Sequence, residues 1–439
     1  MINSFLLFYL QLSLYMQTEA VFKLDKPDFK EKALQWANTF AVGCYFDSNN
    51  YPDPYSSFDV LIASKASSEL SLKTGKCFHE LEKFMNNHQS FCIGYFGYDL
   101  KNEIENLQSG NPDNLKFPDL YFFIPENLIL IKGKEVIIHS TDPAETWRAI
   151  NAINLASTDK AIFSGLIESR FNKDEYIKNV QELQTHIQRG DIYEINFCQE
   201  FYSHNAWLNP IKTFQNLNLV SPTPFSSYFK LHDKYIISAT PERFLSKRGL
   251  KLISQPIKGT AKRSNNDEED QYIKEHLKHN EKEIAENVMI VDLVRNDLTK
   301  SAKPGTVKVE EMLGIYSFSQ VHQIISTVVC EVEEKSNAAI IENTFPMGSM
   351  TGAPKFRAME LADAHERTKR GVYSGALGYF SPSGDFDFNV VIRSILYNET
   401  TKYLSFQVGS AITYDSDAEQ EYEECLLKAK AINEVLLKK

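Results

Sequence analysis

The sequence has no C-x-x-C pair and no Cys/His cluster; its six cysteines, Cys44, Cys77, Cys92, Cys198, Cys330 and Cys425, are scattered. That excludes a zinc site of the usual spacing and fits reduced thiols better than a disulfide framework. No internal repeat, low-complexity tract or Pro-rich linker is present, which excludes a solenoid and fits one compact body. Positive charge is in deficit, 47 Lys+Arg against 58 Asp+Glu, a formal net charge of -11. A surface of that sign argues against nucleic acid as a partner, because phosphate binding needs clustered Lys and Arg. No apolar run reaches the roughly 20 residues of a membrane span. The nearest, FLLFYLQLSLY at residues 5–15, follows no Lys or Arg and precedes no small-x-small cleavage site. Met16 is therefore the expected start and residues 1–15 a mis-called or disordered upstream extension, with a signal-peptide core as the alternative; the protein is expected in the cytoplasm, away from membranes.

What is present is ordinary globular material, 439 residues of which 43% are hydrophobic and 24% charged. Two textures suggest an N-terminal subregion at 16–164 and a catalytic region at 165–439. The first mixes short apolar runs with loop-like stretches such as DSNNYPDPYSS. The second opens on a helix (KDEYIKNVQELQTHIQR) capped by Asn172 and stopped by Gly190, with Ile177, Val180, Leu183 and Ile187 on one face. Strands follow: IYEINFCQEFYS, then FSSYFKL and KYIISAT joined by His232-Asp233, then RFLSK and LKLISQ joined by Arg248-Gly249. Residues 267–299 read as helical, another helix starts near Pro354, and FDFNVVIRSILY and KYLSFQV read as long strands before a final helix at 418–437. Hairpins alternating with helical blocks, without βαβ units, predict an α+β fold with large antiparallel sheets.

Several residues could carry chemistry. Lys258, in SQPIKGTAKR, follows a strand and is flanked by Pro256 and Gly259. A turn lysine usually points to solvent, but backbone pinned on both sides aims this one, and a lysine can act as a nucleophile where its amine is made available. Glu242 lies sixteen residues earlier, and a hairpin between them would bring carboxyl and amine to one sheet edge. Glu283 and Glu286 share one helix face, and Glu421, Glu424 and Lys428 share another. Charged helical faces are normally solvated, yet Glu286 is embedded in AENVMIVDLV, and a buried carboxylate requires a cation. Two such helices offering only oxygen ligands suit Mg²⁺ better than zinc. GSMTGAPK (348–355) is expected to place Thr351 and Gly352 at a helix start, where free N–H groups attract an anion. VGSA (408–411) is expected to form a small-residue turn with a similar capacity. Arg393, among apolar residues in VVIRSIL, is either half of a buried ion pair or a ligand for an anion. His322, taken alone, reads as a satisfied core histidine.

PIKGT, AENVMIVDLVRNDL, FPMGSMTGAPK, GALGYF and VGSAITYDSDAEQEYEEC, in this order from about residue 190 to 432, resemble the chorismate-utilising enzymes. That family includes anthranilate synthase component I, aminodeoxychorismate synthase component I, and the isochorismate and salicylate synthases. The resemblance implies antiparallel sheets packed face to face with helices outside. It implies Mg²⁺ held by Glu286 and Glu424, supported by Glu283 and Glu421, binding the ring carboxylate with Gly409, Ser410, Ala411 and Lys428. Arg393 and Tyr379 would hold the enolpyruvyl carboxylate, His322 and Thr351 would line the ring, and Glu242 would be the general acid. PIKGT, where anthranilate synthases usually read PIAGT, is the form associated with the aminodeoxychorismate branch. There Lys258 would add to carbon 2 of chorismate while ammonia enters at carbon 4. Glu194 stands where amination-branch members more often have Gln, and the isochorismate and salicylate branches Lys. FDSNN (46–50) resembles the region near a tryptophan pocket, which makes tryptophan a candidate ligand.

None of the six cysteines sits in the G-x-C-x-G elbow of a glutamine amidotransferase. Ammonia is therefore expected from a separate glutaminase subunit, and without a pyridoxal-phosphate lyase domain the reaction should stop at aminodeoxychorismate. Anthranilate synthesis, which eliminates pyruvate, is the alternative reading; a non-catalytic chorismate-binding module is a remoter one.

Overall fold

Asn172 accepts a hydrogen bond from the Glu175 N–H while the Glu175 carboxylate accepts from the Asn172 N–H, and this capping box opens the Lys173–Gln188 helix. Tyr176, Val180 and Leu183 form its buried face. The expected hairpins are present, Phe225–Leu231 with Lys234–Thr240 and Arg243–Arg248 with Lys251–Gln255. A computed structural model describes these elements within residues 18–155, 162–318, 321–333 and 336–437. The apolar stretch at 5–15 and Met16 lie outside the described residues. Twenty strands join in one hydrogen-bonded network, antiparallel throughout its described pairings. Strands from both sides of residue 164 pair directly, Tyr45 with Tyr228 and Gly94 with Gly378.

The network folds back on itself, and its two faces bury different material. One face closes on an aromatic interior in which Phe96, Phe122, Phe380 and Phe388 pack edge to face, with Phe96–Phe122 and Phe380–Phe388 centroids both 4.9 Å apart. The other face, with Tyr45, Ile62, Tyr228 and Phe406, is covered by helices, among them Phe29–Asn38, Pro210–Val220 and the C-terminal Ala418–Leu437. The fold is α+β, with antiparallel sheets face to face and helices outside.

Four local expectations change. The helical block divides into Asp267–Lys278 and Glu281–Thr299, because Asn280 caps the second helix by accepting from the Glu283 N–H. FDFNVVIRSILY breaks into Phe386–Val390 and Ser394–Asn398 at Arg393, whose φ of 51° ends the extended run. The helix after GSMTGAPK begins at Lys355, behind Pro354; Thr351 closes a turn by donating its N–H to Gly348, and Gly352–Ala353 is a short strand. VGSA is no turn: 408–411 lie within the Tyr403–Ile412 strand, with Gly409 opposite Cys198 and Ala411 opposite Asn196.

Candidate active site

Lys258 sits on a β-bulge. Strand Ile257–Lys262 pairs Ile257 with Ile325 but Thr260 with Gln323, so 257 to 260 spans one residue more than 325 to 323. Such a bulge turns a side chain out of the regular alternation. Gly259 makes it possible, with a φ of +96° that a side chain rarely adopts. A Cβ there would also come 2.7 Å from Ile324 Cδ1 and 3.2 Å from Glu283 Oε2. The Lys258 carbonyl accepts from Asn287 Nδ2 at 3.2 Å, which ties the bulge to the Glu281–Thr299 helix. The Lys258 ammonium donates to Glu194 Oε1 at 2.7 Å; the lysine side chain is half-buried and the carboxylate buried, 12% and 3% exposed. Burial works against the ammonium charge, but Glu194, Glu286 and Glu424 outweigh it and hold the amine above the ordinary lysine range.

Glu242 lies beside it. Pairing of Arg243 with Gln255 carries Glu242 past the end of that strand to the Pro256–Ile257 stretch, and the Ile257 N–H, together with the Ser349 hydroxyl, is drawn to the carboxyl. Burial pushes the Glu242 carboxyl up to about 7, against the pull of Ser349, Lys258, the Ile257 N–H and Arg393. A carboxyl that keeps its proton near neutrality is a proton donor. Ser349 comes from the Gly348–Met350 turn, held by two anchors. Gly352 lies so close to the Glu194 strand that a Cβ would fall 2.2 Å from the Glu194 carbonyl oxygen. Lys355 bonds Asp297 Oδ2 at 2.5 Å and the Pro346 carbonyl at 2.9 Å.

Arg393 is the cation of the group that has no partner among the described residues. Within the described residues its guanidinium makes no hydrogen bond or ion pair, and its environment is set by burial, then by Tyr373, Glu424 and Glu242. Its enclosure disfavours its charge, and a half-buried guanidinium without a partner is completed by an anionic ligand.

Two helices bring four carboxylates to the same region. Burial pushes Glu286 up to about 7, and its Oε1 has no hydrogen-bond partner. The Lys282 ammonium stands 3.9 Å from that oxygen and 3.2 Å from Glu421 Oε1 on the C-terminal helix. Glu283 is raised by burial and then by the charge of Glu424. For Glu424 burial acts upward too, but Lys428, at 2.5 Å, holds it below the ordinary carboxylate range. Lys428 also donates to the Gly409 carbonyl at 2.8 Å. Among the described residues no three metal-binding side chains form a ready-made cage. An orphaned carboxylate oxygen and repelling carboxylates nevertheless fit a hard divalent cation, which would satisfy the one and relieve the other.

This is a site with a proton-donating carboxyl, an aimed amine, an unpaired guanidinium and an acidic cation-binding face. A family model described as chorismate binding enzyme matches residues 43–434. The chain belongs to the chorismate binding enzyme family. Aminodeoxychorismate synthase component 1 of Bacillus subtilis (strain 168) is 32% identical over 406 residues, covering 86% of each chain. A probable chloroplastic aminodeoxychorismate synthase of Oryza sativa subsp. japonica is 34% identical over 387 residues. That match takes in 78% of this chain but 43% of the rice protein, so the chain spans under half of that relative's length. Proteins named anthranilate synthase component 1 match at 32 to 33% identity. The crystal structure of anthranilate synthase component I from Streptococcus pneumoniae TIGR4 shares the fold, with a TM-score of 0.76, 24% identity, and 87% of this chain and 93% of that one covered.

In this chorismate binding enzyme the remaining residues singled out from the sequence are distributed unevenly. Tyr379 packs on Phe58 and Phe91, with ring centroids 5.1 and 6.0 Å away, and faces Arg248 and Asp387. The tyrosine beside Arg393 is Tyr373. His322 is satisfied on both sides, by Ser317 Oγ at 2.8 Å and Asp270 Oδ1 at 3.1 Å. Thr351 points its hydroxyl into its own turn, 3.1 Å from the Gly348 carbonyl. Ser410 faces the helical layer, 3.2 Å from Tyr176 OH. Tyr373, Ser349 and Lys282 were not singled out by sequence reasoning. Tyr373 lies in the loop ahead of the GALGYF strand, where position alone could not separate it from Tyr379. Lys282, next to Glu283 at a helix start, looks like any solvated lysine.

Proposed function

We propose that this enzyme is the synthase component of an aminodeoxychorismate synthase, aminating chorismate at carbon 4. The observation that carries the reading is Lys258 on its bulge beside the proton-holding Glu242. Glu242 gives its proton to the hydroxyl leaving carbon 4, so that oxygen departs as water. The Lys258 amine adds at carbon 2 as that bond breaks, and both ring double bonds shift along the ring toward carbon 4. Ammonia then bonds to carbon 4, the carbon 2–nitrogen bond breaks, and the product keeps its enolpyruvyl group. Arg393, with Tyr373 beside it, is suited to a substrate carboxylate. Mg²⁺ held by Glu286 and Glu424, with Glu283 and Glu421 in support, would neutralise the other carboxylate.

The component 1 naming of the Bacillus relative supports a separate subunit, here a glutaminase, as the ammonia source. A cytoplasmic setting is supported by six buried, unpaired cysteines; among the described residues no helix is long and apolar enough to cross a membrane. For tryptophan near 46–50, the Asn49 side chain is committed to Asn218, Thr223 and Ser226, while the buried Ser48 hydroxyl has no partner among the described residues.

The deciding experiment is the mass of the product formed from chorismate, Mg²⁺ and an ammonium salt. Aminodeoxychorismate is expected. Anthranilate with released pyruvate would establish the anthranilate reading, which the similarly matched anthranilate synthase relatives keep open.

A further inference from the structure

An ammonium is not a nucleophile. For Lys258 to bond to a ring carbon it must first lose a proton, and the place where it sits admits little water. The groups facing it come from four elements: Glu194 from the Glu194–Ser203 strand, Glu242 from the segment before Arg243–Arg248, Glu283 and Glu286 from the Glu281–Thr299 helix, and Glu424 from the C-terminal helix. Lys282 lies beyond, on Glu286 and Glu421. Glu242 holds its own proton for the leaving hydroxyl, and the helical carboxylates belong to the cation-binding face. Among the described residues only Glu194 is within hydrogen-bond distance of the amine, at 2.7 Å, and it is 2% exposed. Its strand is fixed from the other side by Gly352 and Ala353, which pair with Ile195 and Glu194. The carboxylate is thus held still, against the one atom that must be deprotonated.

We propose that Glu194 is the base for Lys258, taking the Nζ proton as the amine adds to substrate and returning it when the amine leaves. The inference rests on the amination reading above. The proton moves from Nζ to the Glu194 carboxylate, the freed lone pair forms the bond to carbon 2, and both ring double bonds shift toward carbon 4. The carbon 4–oxygen bond breaks, and oxygen leaves as water with the Glu242 proton. Ammonia then bonds to carbon 4, Lys258 departs as a neutral amine and recovers its proton from Glu194, and the new ammonium group reprotonates Glu242. Chorismate and ammonia give the amino product and water, and every enzyme group regains its starting proton. The reactive form is reached by shifting a proton within the pair, with none released to solvent.

The test is Glu194→Gln, which keeps the size and an oxygen toward Lys258 but cannot accept the proton. Amination rates of variant and native enzyme are compared at saturating chorismate and equal free ammonia, from roughly pH 6.5 to 8.5. Lys258 must now lose its proton to solvent, so the variant-to-native rate ratio should rise about tenfold per pH unit until the amine itself titrates, while KM for chorismate stays within about threefold. Glu194→Asp retains a base and should keep the native profile at a lower rate. In a second measurement without chorismate, acetylation of Lys258 by acetic anhydride, followed by peptide mass, should be faster in Glu194→Gln than in native enzyme. A rate ratio that does not change with pH, or unchanged Lys258 acetylation, overturns the inference and leaves the amination reading standing. Absence of carbon 4-aminated product from native enzyme overturns that reading and this one with it.

Discussion

Replacing Lys258 with Ala removes a nucleophile and also strands a carboxylate, and the two effects separate experimentally. Glu194 is 2% exposed and loses its only hydrogen-bonded cation among the described residues. Breaking a buried pair from one side costs about 3–5 kcal/mol, a large part of the roughly 5–15 kcal/mol that holds a folded domain together. Lys258→Ala should therefore lower the urea midpoint clearly. Adding Glu194→Gln, which leaves no charge to strand, should restore most of it. Activity should behave differently: a nucleophile contributing ~4 kcal/mol to barrier lowering is worth roughly a thousandfold in rate. The double variant should regain stability and stay inactive in amination, assayed as product mass per time. Chorismate binding should change far less, because Arg393 and the acidic helices are untouched. Lys258→Arg preserves the charge facing Glu194 but not a nucleophilic amine, so it should be stable and as inactive as Lys258→Ala. Substantial amination by Lys258→Arg would refute the covalent role. A native urea midpoint in Lys258→Ala would refute the energetic dependence of Glu194 on its partner.

Glu286→Gln and Glu424→Gln should each fold but lose Mg²⁺-stimulated amination, and Mg²⁺ should no longer raise their melting temperature; retention of both responses in both variants would contradict the cation assignment. Glu242, held up to about 7, is protonated below that pH and loses its proton above it. The amination rate at constant free ammonia should accordingly fall about tenfold per pH unit above neutrality, and this limb should vanish, along with most activity, in Glu242→Gln. The isolated chain should use ammonium but not glutamine, and glutamine-dependent product should appear when a triad-type glutaminase is added; glutamine hydrolysis by the chain alone would contradict the reading of its cysteines.

Local chemistry made much of this legible in the sequence. Asn172 and Glu175 capped their helix as their spacing required, and both strands flanking His232-Asp233 began and ended where the pattern placed them. The Lys258–Glu242 juxtaposition followed from the length of one hairpin. The four helical glutamates followed from the helical period and from the apolar setting of Glu286. These features depend on residues a few positions apart, whose geometry is set by the repeat of helix or strand.

What only the tertiary structure decided is which partner each charge meets. Lys258 and Glu194 are 64 residues apart, and their contact depends on a bulge in one strand and on the short Gly352–Ala353 strand pairing with another. One residue of register reverses a strand's faces, so pattern alone could not say that Tyr373, not Tyr379, stands beside Arg393. Nor could it show that the αL kink at Arg393 would interrupt an apolar run reading as one strand. His322 finds Asp270 from a helix 52 residues away in the chain. The sequence determined most of the elements and the reactive groups by itself; the long-range register of the sheet, which no local preference encodes, selected the pairs that give those groups their protons and charges.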